Sequence, residues 1–310
     1  MRWYVALTWV ALRVLGLLPL RALHALGAAL GQGLWWRRRA RERVHTEVNM
    51  RFACPNLDDN ARAKLTHASL IETGRAATEL AAVWGRGAQG ALRLVRDVRG
   101  RELFDAALQA RQGLIIAAPH LGCWELLNYW LCSRTPLAIL YRPPNDPSFE
   151  PLLRRARGEL APEQVRADSA GVRALYKRLA AGGVVGILPD QQPKRGEGQF
   201  APFFGVEADT MVLLPRIAQR TRATVLFAFA ERLRHSAGFR IHFHAAPQGI
   251  ADPDLRVACS ALNRGVQECV ELAFTQYQWT YKRWADRPDP NEKDPYWVAR
   301  NRAAHGKQGG

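Results

Sequence analysis

Residues 114–127 determine the fold and read LIIAAPHLGCWELL. The five apolar residues from Leu114 to Ala118 predict a short strand that is buried on both faces, because no polar residue interrupts them. Pro119 ends the run, and the residues after it predict a helix. A histidine at the carboxyl end of such a strand lies where open α/β sheets bind their ligands. His120 is therefore the first candidate functional residue.

Three more apolar runs of strand length occur further along the chain. They alternate with segments of helical periodicity, such as residues 172–181. This alternation is typical of a parallel sheet with helical crossovers. The runs are residues 137–141, 184–188 and 224–230. The sequence therefore predicts an α/β protein with a mainly parallel central sheet flanked by helices.

Three further elements are predicted from periodicity and capping. Residues 57–84 favour a helix that Asp58 or Asp59 caps. Residues 239–244 alternate like an antiparallel or edge strand. Residues 255–281 predict one long final helix.

The amino-terminal segment has the composition of a membrane-associated helix. Residues 3–34 are mostly apolar and run into a Trp pair and an Arg-rich stretch at residues 35–43. Polar residues interrupt the apolar stretch before it reaches the roughly 20 residues that a spanning helix needs. Arg13 and His24 fall on one narrow stripe, which favours a helix lying at the interface or packed against the protein's own domain. We expect Pro19 to bend this helix, and the alternative is a buried core helix with a solvated basic end.

The charge balance allows two interpretations. The chain has 44 Lys and Arg against 28 Asp and Glu, a net charge of +16. Such an excess indicates an anionic partner, or it reflects only the codon composition of the gene. The aromatic residues belong to apolar runs and do not form a stacking platform, so we expect no nucleic-acid partner. The five cysteines are scattered and no phosphate-binding glycine motif is present, which predicts no metal site and no cofactor.

His120 and Glu125 could form a catalytic pair. Five residues apart on one continuous helix, they would point about 140° away from each other. If His120 instead occupies the turn before the helix, Glu125 can reach one imidazole nitrogen and leave the other free as a general base. The alternative is a histidine that stabilises a turn and a solvated glutamate.

Two other strand ends carry polar residues. Arg142 precedes a rigid Pro pair after the run at 137–141, and its guanidinium could bind phosphate or a developing negative charge. Asp190 and Gln191 follow the run at 184–188. Because the carboxyl ends of parallel strands share one edge of the sheet, we expect these groups to lie near His120.

An apolar segment further on could contact a hydrocarbon chain. Phe203 and Phe204 follow the polar loop and favour either a slot for an acyl tail or ordinary core packing. Thr210 could cap the next helix or touch the substrate.

These blocks together resemble the lysophospholipid acyltransferase superfamily, and specifically the bacterial lipid A late acyltransferases of the lauroyl and myristoyl type. The segment from His120 to Glu125 resembles the family's Hxxxx(D/E) block. The chain departs from the family at Thr280 and Lys282, where many members have Trp and His, and in its basic loop at residues 192–199. The other blocks occur in the family's order: Tyr141-Arg142-Pro143 with Asn145, Leu188-Pro189-Asp190-Gln191, Phe203-Phe204-Gly205 with Thr210, and Gln278 to Trp284.

The resemblance implies a reaction and roles for the residues. An acyl group would pass from acyl carrier protein or coenzyme A to a hydroxyl of a membrane lipid, a lipid A precursor first, with a lysophospholipid, aminolipid or glycolipid as alternatives. His120 would be the general base and Glu125 its orienting partner. The implied substrate-binding residues are Arg142, Asn145, Asp190, Gln191 and Thr210, with Phe203, Phe204 and Gly205 beside the acyl chain.

The resemblance also implies how the chain is organised. We expect a membrane-associated helix with its basic flank in residues 1–43, an acyltransferase catalytic domain in residues 44–300 and a disordered tail in residues 301–310. The basic flank would lie on the anionic cytoplasmic face of the cell inner membrane.

Overall fold

A computed structural model describes residues 3–141, 150, 160 and 162–305 of the chain. Helices dominate its amino-terminal third, and strands alternate with helices after residue 94. The helices are α1 (Trp3–Gly16), α2 (Leu20–Trp36), α3 (Arg41–Ala53), α4 (Asp59–Trp84), α5 (Gly87–Leu92), α6 (Arg101–Ala110), α7 (Trp124–Cys132), α8 (Ser169–Ala180), α9 (Leu213–Thr221), α10 (Leu255–Leu272) and α11 (Pro295–His305).

The strands form a seven-stranded sheet and a separate hairpin. They are β1 (Val95–Arg99), β2 (Leu114–Ala117), β3 (Leu137–Tyr141), β4 (Glu163–Arg166), β5 (Val184–Ile187), β6 (Gly198–Phe203), β7 (Val206–Met211), β8 (Thr224–Arg232) and β9 (Phe239–Ala245). The sheet order is β1-β9-β8-β2-β5-β3-β4, and β6 pairs with β7. Only the β8–β9 pair of the large sheet is antiparallel. The predicted mainly parallel sheet is therefore confirmed.

Strand β2 lies at the centre of this sheet and is buried on both faces. Leu114 and Ile116 contribute to the core on one face, while Ile115 and Ala117 contribute to the core on the other. Helices cover both faces, so every position of β2 must be apolar. The uninterrupted apolar run seen in the sequence has this cause.

The amino-terminal segment is two helices, α1 and α2, separated at Pro19. Helix α2 packs closely on α4, because Gly27 and Gly31 of α2 meet Gly74 and its neighbours: a Cβ built at Gly74 would lie 2.0 Å from the carbonyl oxygen of Gly27. His24 on the same helix is buried and bonds Glu79 of α4 through Nε2 at 2.9 Å. Part of the predicted polar stripe thus faces the protein's own domain.

The opposite surface of α1 and α2 is apolar and exposed. Among the described residues, no helix combines the length and the hydrophobicity needed to cross a bilayer. The exposed large hydrophobic side chains on these two helices and on the turn between them are Leu7, Val10, Val14, Leu17, Leu18, Leu26, Leu30 and Trp36. Membrane attachment through this segment stays a prediction.

The prediction of one long final helix was wrong. The helix expected over residues 255–281 ends at Leu272, because the chain turns back and pairs Tyr277 with Leu121 beside β2. Residues 301–305, expected to begin a disordered tail, continue helix α11. Of the two alternatives predicted for residues 239–244, the antiparallel strand is confirmed, because β9 runs antiparallel to β8; it is not an edge strand, since β1 pairs with it on its outer side. The helix predicted over residues 57–84 is confirmed, with Asp58 as its cap.

Candidate active site

The register of two neighbouring strands brings His120 and Asp190 together. Ala117 of β2 lies opposite Ile187 of β5 in a parallel pair. Each strand is followed three residues later by a polar side chain, His120 and Asp190 respectively. The pairing continues past the strands, since the N–H of Ala118 donates to the carbonyl of Ile187 at 2.9 Å. The two side chains therefore leave the sheet at the same level.

Asp190 binds His120 through both of its carboxylate oxygens. Oδ1 lies 2.8 Å from Nδ1 of the imidazole, and Oδ2 accepts the backbone N–H of His120 at 2.9 Å. An anionic carboxylate is an acceptor only, so Nδ1 carries the proton in this pair. That tautomer leaves Nε2 with its lone pair available to accept a proton.

The charge state of Asp190 follows from its surroundings. Burial raises the pKa of its carboxyl, but the electrostatic interaction with His120 and the hydrogen bonds from His120 outweigh this and hold the pKa below its ordinary value. Burial, and then the charge of Asp190, raise the pKa of the nearby Tyr277 hydroxyl. Asp190 is therefore ionised and Tyr277 is neutral at neutral pH.

Gln191 lies on the other side of the imidazole. Its side-chain amide donates to Nε2 of His120 at 3.3 Å and reaches Oε1 of Gln278 at 3.5 Å. These long contacts link the strand ends to the carboxyl-terminal Gln278 block, whose backbone N–H also donates to the carbonyl of His120 at 3.0 Å. Gln191 therefore marks the position that a hydroxyl donor would take on Nε2.

The turn that carries His120 requires a glycine. Gly122 has a φ of +62°, and a Cβ at this position would lie 2.0 Å from the carbonyl oxygen of Ala230. The N–H of Gly122 donates to the carbonyl of Gln276 at 3.2 Å, and the N–H of Cys123 donates to the carbonyl of Ala230 at 2.9 Å. The chain between β2 and α7 is thus held against β8 and the Gln276 segment.

Glu125 does not occupy the predicted position on Nδ1, which Asp190 fills. Its side chain is buried in the first turn of α7, where Oε2 accepts the indole N–H of Trp84 from α4 at 3.3 Å. The helix begins one residue earlier, at Trp124, so Glu125 turns towards α4 while Trp124 faces the imidazole with ring centroids 6.1 Å apart. The prediction of an imidazole–carboxylate pair is correct in kind, but the carboxylate comes from the neighbouring strand end.

A cavity of about 890 Å³ opens beside His120. This volume lies within the range of small-molecule and cofactor sites. Its walls are mainly apolar, with contributions from β3, the β5 strand end, the β6–β7 hairpin and the start of α9. The residues that line the cavity include Trp124, Asn128, Tyr141, Val172, Leu188, Gln191, Lys194, Glu197, Met211, Leu213 and Arg216.

The hairpin residues predicted to line the acyl slot lie elsewhere. Phe203 is buried and packs on Trp284, with ring centroids 5.5 Å apart. Phe204 and Gly205 form the hairpin turn with positive φ values of 50° and 76°, and Phe204 lies 5.7 Å from Trp279. None of the three is among the described residues that line the cavity. The structure favours the alternative interpretation, core packing, for the buried Phe203 and the half-buried Phe204, while Gly205 is exposed.

Thr210 is also inside the protein. It neither caps α9, whose cap position is Val212, nor is exposed. Its hydroxyl donates to the carbonyl of Ala208 at 2.8 Å and accepts from Asn263 at 2.8 Å and from Arg283 at 3.1 Å. These bonds join the hairpin to α10 and to the carboxyl-terminal segment.

Two predicted site residues, Arg142 and Asn145, lie outside the described residues. The residue before them, Tyr141, ends β3 and lines the cavity.

Sequence reasoning missed Trp124 and Asn128, which line the cavity from α7. Their i, i+4 spacing places them on one helix face, and this spacing was a readable signal once the helix was placed directly after His120. Lys194 and Arg216 were also missed, because nothing local in sequence connects a loop residue to a residue of α9. Within residues 3–141 and 162–305, no three His, Cys, Asp or Glu side chains converge to hold a metal ion.

The fold and the site define an α/β protein with an imidazole–carboxylate pair beside a mainly apolar cavity. Residues 1–286 match the family described as bacterial lipid A biosynthesis acyltransferase, and the chain belongs to this family. The chain is 25% identical over 289 residues to the lipid A biosynthesis lauroyltransferase of Escherichia coli K12, covering 91% of this chain and 92% of the relative. The lipid A biosynthesis palmitoleoyltransferase of the same organism shows the same identity and coverage. A lipid A biosynthesis acyltransferase of Haemophilus influenzae is 21% identical, over 93% of this chain and 89% of its own length. The protein is thus an acyltransferase.

Proposed function

We propose that this acyltransferase moves a fatty acyl chain from an acyl thioester, on acyl carrier protein or coenzyme A, to a hydroxyl of a membrane lipid, a lipid A precursor. One observation carries the proposal. An imidazole whose Nδ1 is bound by the ionised Asp190 lines a mainly apolar cavity, with the lone pair of Nε2 available to accept a proton. This is the arrangement that a general base for a lipid alcohol needs.

The proposed reaction starts when the acceptor hydroxyl displaces the amide of Gln191 from Nε2 of His120. Nε2 takes the hydroxyl proton while the oxygen attacks the thioester carbonyl carbon. The imidazolium that forms is stabilised by Asp190, which is already ionised and needs no rearrangement. Collapse of the tetrahedral intermediate breaks the carbon–sulfur bond, and the departing thiolate takes the proton from Nε2. The ester and the free thiol are the products, and His120 returns to its starting state.

In this proposal Glu125 supports α7. Its buried carboxylate, bonded by Trp84, fixes the start of the helix that carries Trp124 and Asn128 into the cavity. Arg142 and Asn145 remain proposed contacts to substrate phosphate or thioester oxygen, on the strength of the family motif alone. Asp190 has the orienting role that sequence reasoning assigned to Glu125, and Gln191 forms part of the acceptor pocket.

Phe203, Phe204, Gly205 and Thr210 keep a place in the proposal as supporting residues. They hold the β6–β7 hairpin, whose other end, near Met211, lines the cavity. Their effect on the acyl chain would then be indirect.

The proposal includes attachment to the cytoplasmic face of the inner membrane. An insoluble acceptor requires the site to lie at a lipid surface. The exposed apolar side chains of α1 and α2, followed by the arginines after Trp36, have the composition of a segment that lies in an anionic interface. Burial of His24 against Glu79 ties this surface to the catalytic domain.

The test is acyl transfer by purified protein to a lipid A precursor, followed by mass spectrometry, together with lipid profiling of a strain lacking the gene. We expect added acyl chains in the first assay and underacylated lipid A in the second. Normal lipid A acylation in the deletion strain, with a change in lysophospholipid, aminolipid or glycolipid, would assign one of these as the acceptor.

A further inference from the structure

Two cationic side chains line the cavity but take no part in the chemistry proposed above. Lys194 belongs to the basic loop at residues 192–199, in which this chain departs from the family pattern, and Arg216 lies in the first turn of α9. Both are exposed and both line the cavity that His120 borders. The tertiary fold therefore brings two cations that are distant in sequence into the lining of one cavity.

Neither cation is neutralised within the described part of the chain. Some exposed arginines have a carboxylate partner, such as Arg256 with Glu207 at 2.8 Å. No ion pair joins Lys194 or Arg216 to another described residue, and Glu197 is the one acidic residue in the described lining. The lining is therefore net positive.

The rest of the lining near these cations is apolar. Val172, Leu188, Met211 and Leu213 form its walls. Cations beside an apolar wall fit a ligand that joins an anionic group to a hydrocarbon. A binding surface for soluble anions would not need these walls.

We infer that Lys194 and Arg216 bind a phosphate group of an amphiphilic substrate whose hydrocarbon lies along the apolar wall, so that the cavity selects phosphorylated over neutral amphiphiles. This inference rests on the proposed function for the identity of the substrate, but not for the binding itself. The phosphate belongs either to the acceptor lipid or to the phosphate-bearing carrier of the acyl donor. The two sources share one chemistry, and competition experiments separate them.

The binding experiment uses dodecyl phosphate and dodecyl glucoside below their micelle concentrations, with full-length protein and isothermal titration calorimetry. We expect the wild type to bind the phosphate at least about tenfold more tightly than the glucoside, and Lys194→Gln/Arg216→Gln to lose this preference, since hydrogen bonds to charged groups contribute this much or more. Lys177→Gln on α8 and Arg220→Gln on α9 are matched controls, because both residues are exposed and lie outside the described lining. Both should bind as the wild type does.

The kinetic experiment identifies the source of the phosphate. Competition of dodecyl phosphate with the acceptor lipid assigns it to the acceptor, and competition with the acyl donor assigns it to the donor. The double variant should raise the corresponding KM about tenfold while kcat changes less than twofold. Equal binding of phosphate by the double variant and the wild type, or equal binding of glucoside and phosphate by the wild type, would overturn the inference. A wild type that binds the phosphate selectively but transfers no acyl chain would refute the proposed function alone.

Discussion

Asp190 holds the main chain and the side chain of His120 at once, with Oδ2 2.9 Å from the backbone nitrogen and Oδ1 2.8 Å from Nδ1. One carboxylate therefore determines where the histidine lies, how its ring is turned and which nitrogen carries the proton. Adjacent parallel strands in matched register make this possible, because each contributes one of the two residues at the same edge of the sheet.

We expect Asp190→Asn to lower kcat by about 10²- to 10⁴-fold, the range of general-base catalysis. An asparagine amide can donate to Nδ1, which favours the tautomer with the proton on Nε2 and removes the base. His120→Ala should have an effect of similar size, and combining the two changes should add little, because they disable one unit. Steady-state kinetics of acyl transfer measure this.

The variant Glu125→Gln tests which of the two carboxylates, Glu125 or Asp190, orients the imidazole of His120. We expect a smaller loss of kcat than in Asp190→Asn, together with lower stability, because Glu125 is buried and bonded by Trp84. If Glu125→Gln abolished transfer and Asp190→Asn spared it, the orienting role would belong to Glu125 after all.

Gly122→Ala should abolish activity and destabilise the protein strongly. The new Cβ would lie 2.0 Å from the carbonyl oxygen of Ala230 in addition to the cost of the positive φ. Gly87→Ala is the matched control, since its φ of +72° is similar but nothing lies within 4 Å. We expect the control to cost only about 1–2 kcal/mol, the price of a left-handed residue, as measured by urea unfolding. Equal losses in the two variants would exclude the steric explanation.

Phe203→Ala should lower the free energy of unfolding by about 3–5 kcal/mol, as is typical for a buried aromatic, without changing which acyl chain is transferred. Leu213→Phe, which narrows the cavity, should favour shorter chains. Mass spectrometry of products formed from donors of different chain length tests both. If Phe203→Ala changed the length of the acyl chain that is transferred, the predicted acyl-chain slot at the hairpin would be supported instead of core packing.

The stability of the protein should fall in acid. Burial raises the pKa values of Asp190 and Glu79, but the His120 interactions at Asp190 and the Arg232 and His24 interactions at Glu79 outweigh it, so both pKa values lie below their ordinary range. The stabilisation is fully present above the unfolded pKa values of about 4 and is lost as the pH falls through the lower folded values.

Urea unfolding between pH 3 and pH 7 measures this dependence. We expect the midpoint to fall gently below about pH 6.5, because burial lowers the pKa values of His45, His242 and His244, and steeply below about pH 4, where the carboxylates are protonated. Glu79→Gln should be less stable at pH 7 and show a shallower fall. Glu268→Gln, on the exposed side of α10, is the control and should show the same pH dependence as the wild type. A wild type that is more stable at pH 3 than at pH 7 would contradict the predicted loss of stability in acid.

Replacement of Leu7, Val14 and Leu17 by Gln should weaken binding to anionic phospholipid vesicles by at least about tenfold, since each exposed apolar side chain that enters lipid contributes roughly 1.5–3 kcal/mol when fully buried. Leu272→Gln, an exposed leucine at the end of α10, is the control. Unchanged sedimentation of the triple variant with vesicles would remove α1 from the proposed membrane surface.

Much of the fold was predictable because local patterns decide it. The apolar runs that became β2, β3, β5 and β8 are short and bounded, and strands buried on both faces need such runs. Asp58 caps α4 as its position suggested, and Pro19 separates α1 from α2 because proline cannot continue the preceding helix. The end of α10 was not predictable, since the pairing of Tyr277 with Leu121 that stops it is a contact between distant parts of the chain.

The sequence by itself determined that a histidine follows the central strand and that an acidic residue follows another strand of the same sheet, and its ordered blocks indicated the family. Only the tertiary structure decided that Asp190 rather than Glu125 binds the imidazole, because strand order and register join residues 70 positions apart. The same holds for Phe203 and Thr210, which packing against the carboxyl-terminal segment buries, and for Lys194 and Arg216, which the fold brings to one cavity. Periodicity encodes which face of an element is buried, whereas side-chain partners depend on which elements become neighbours.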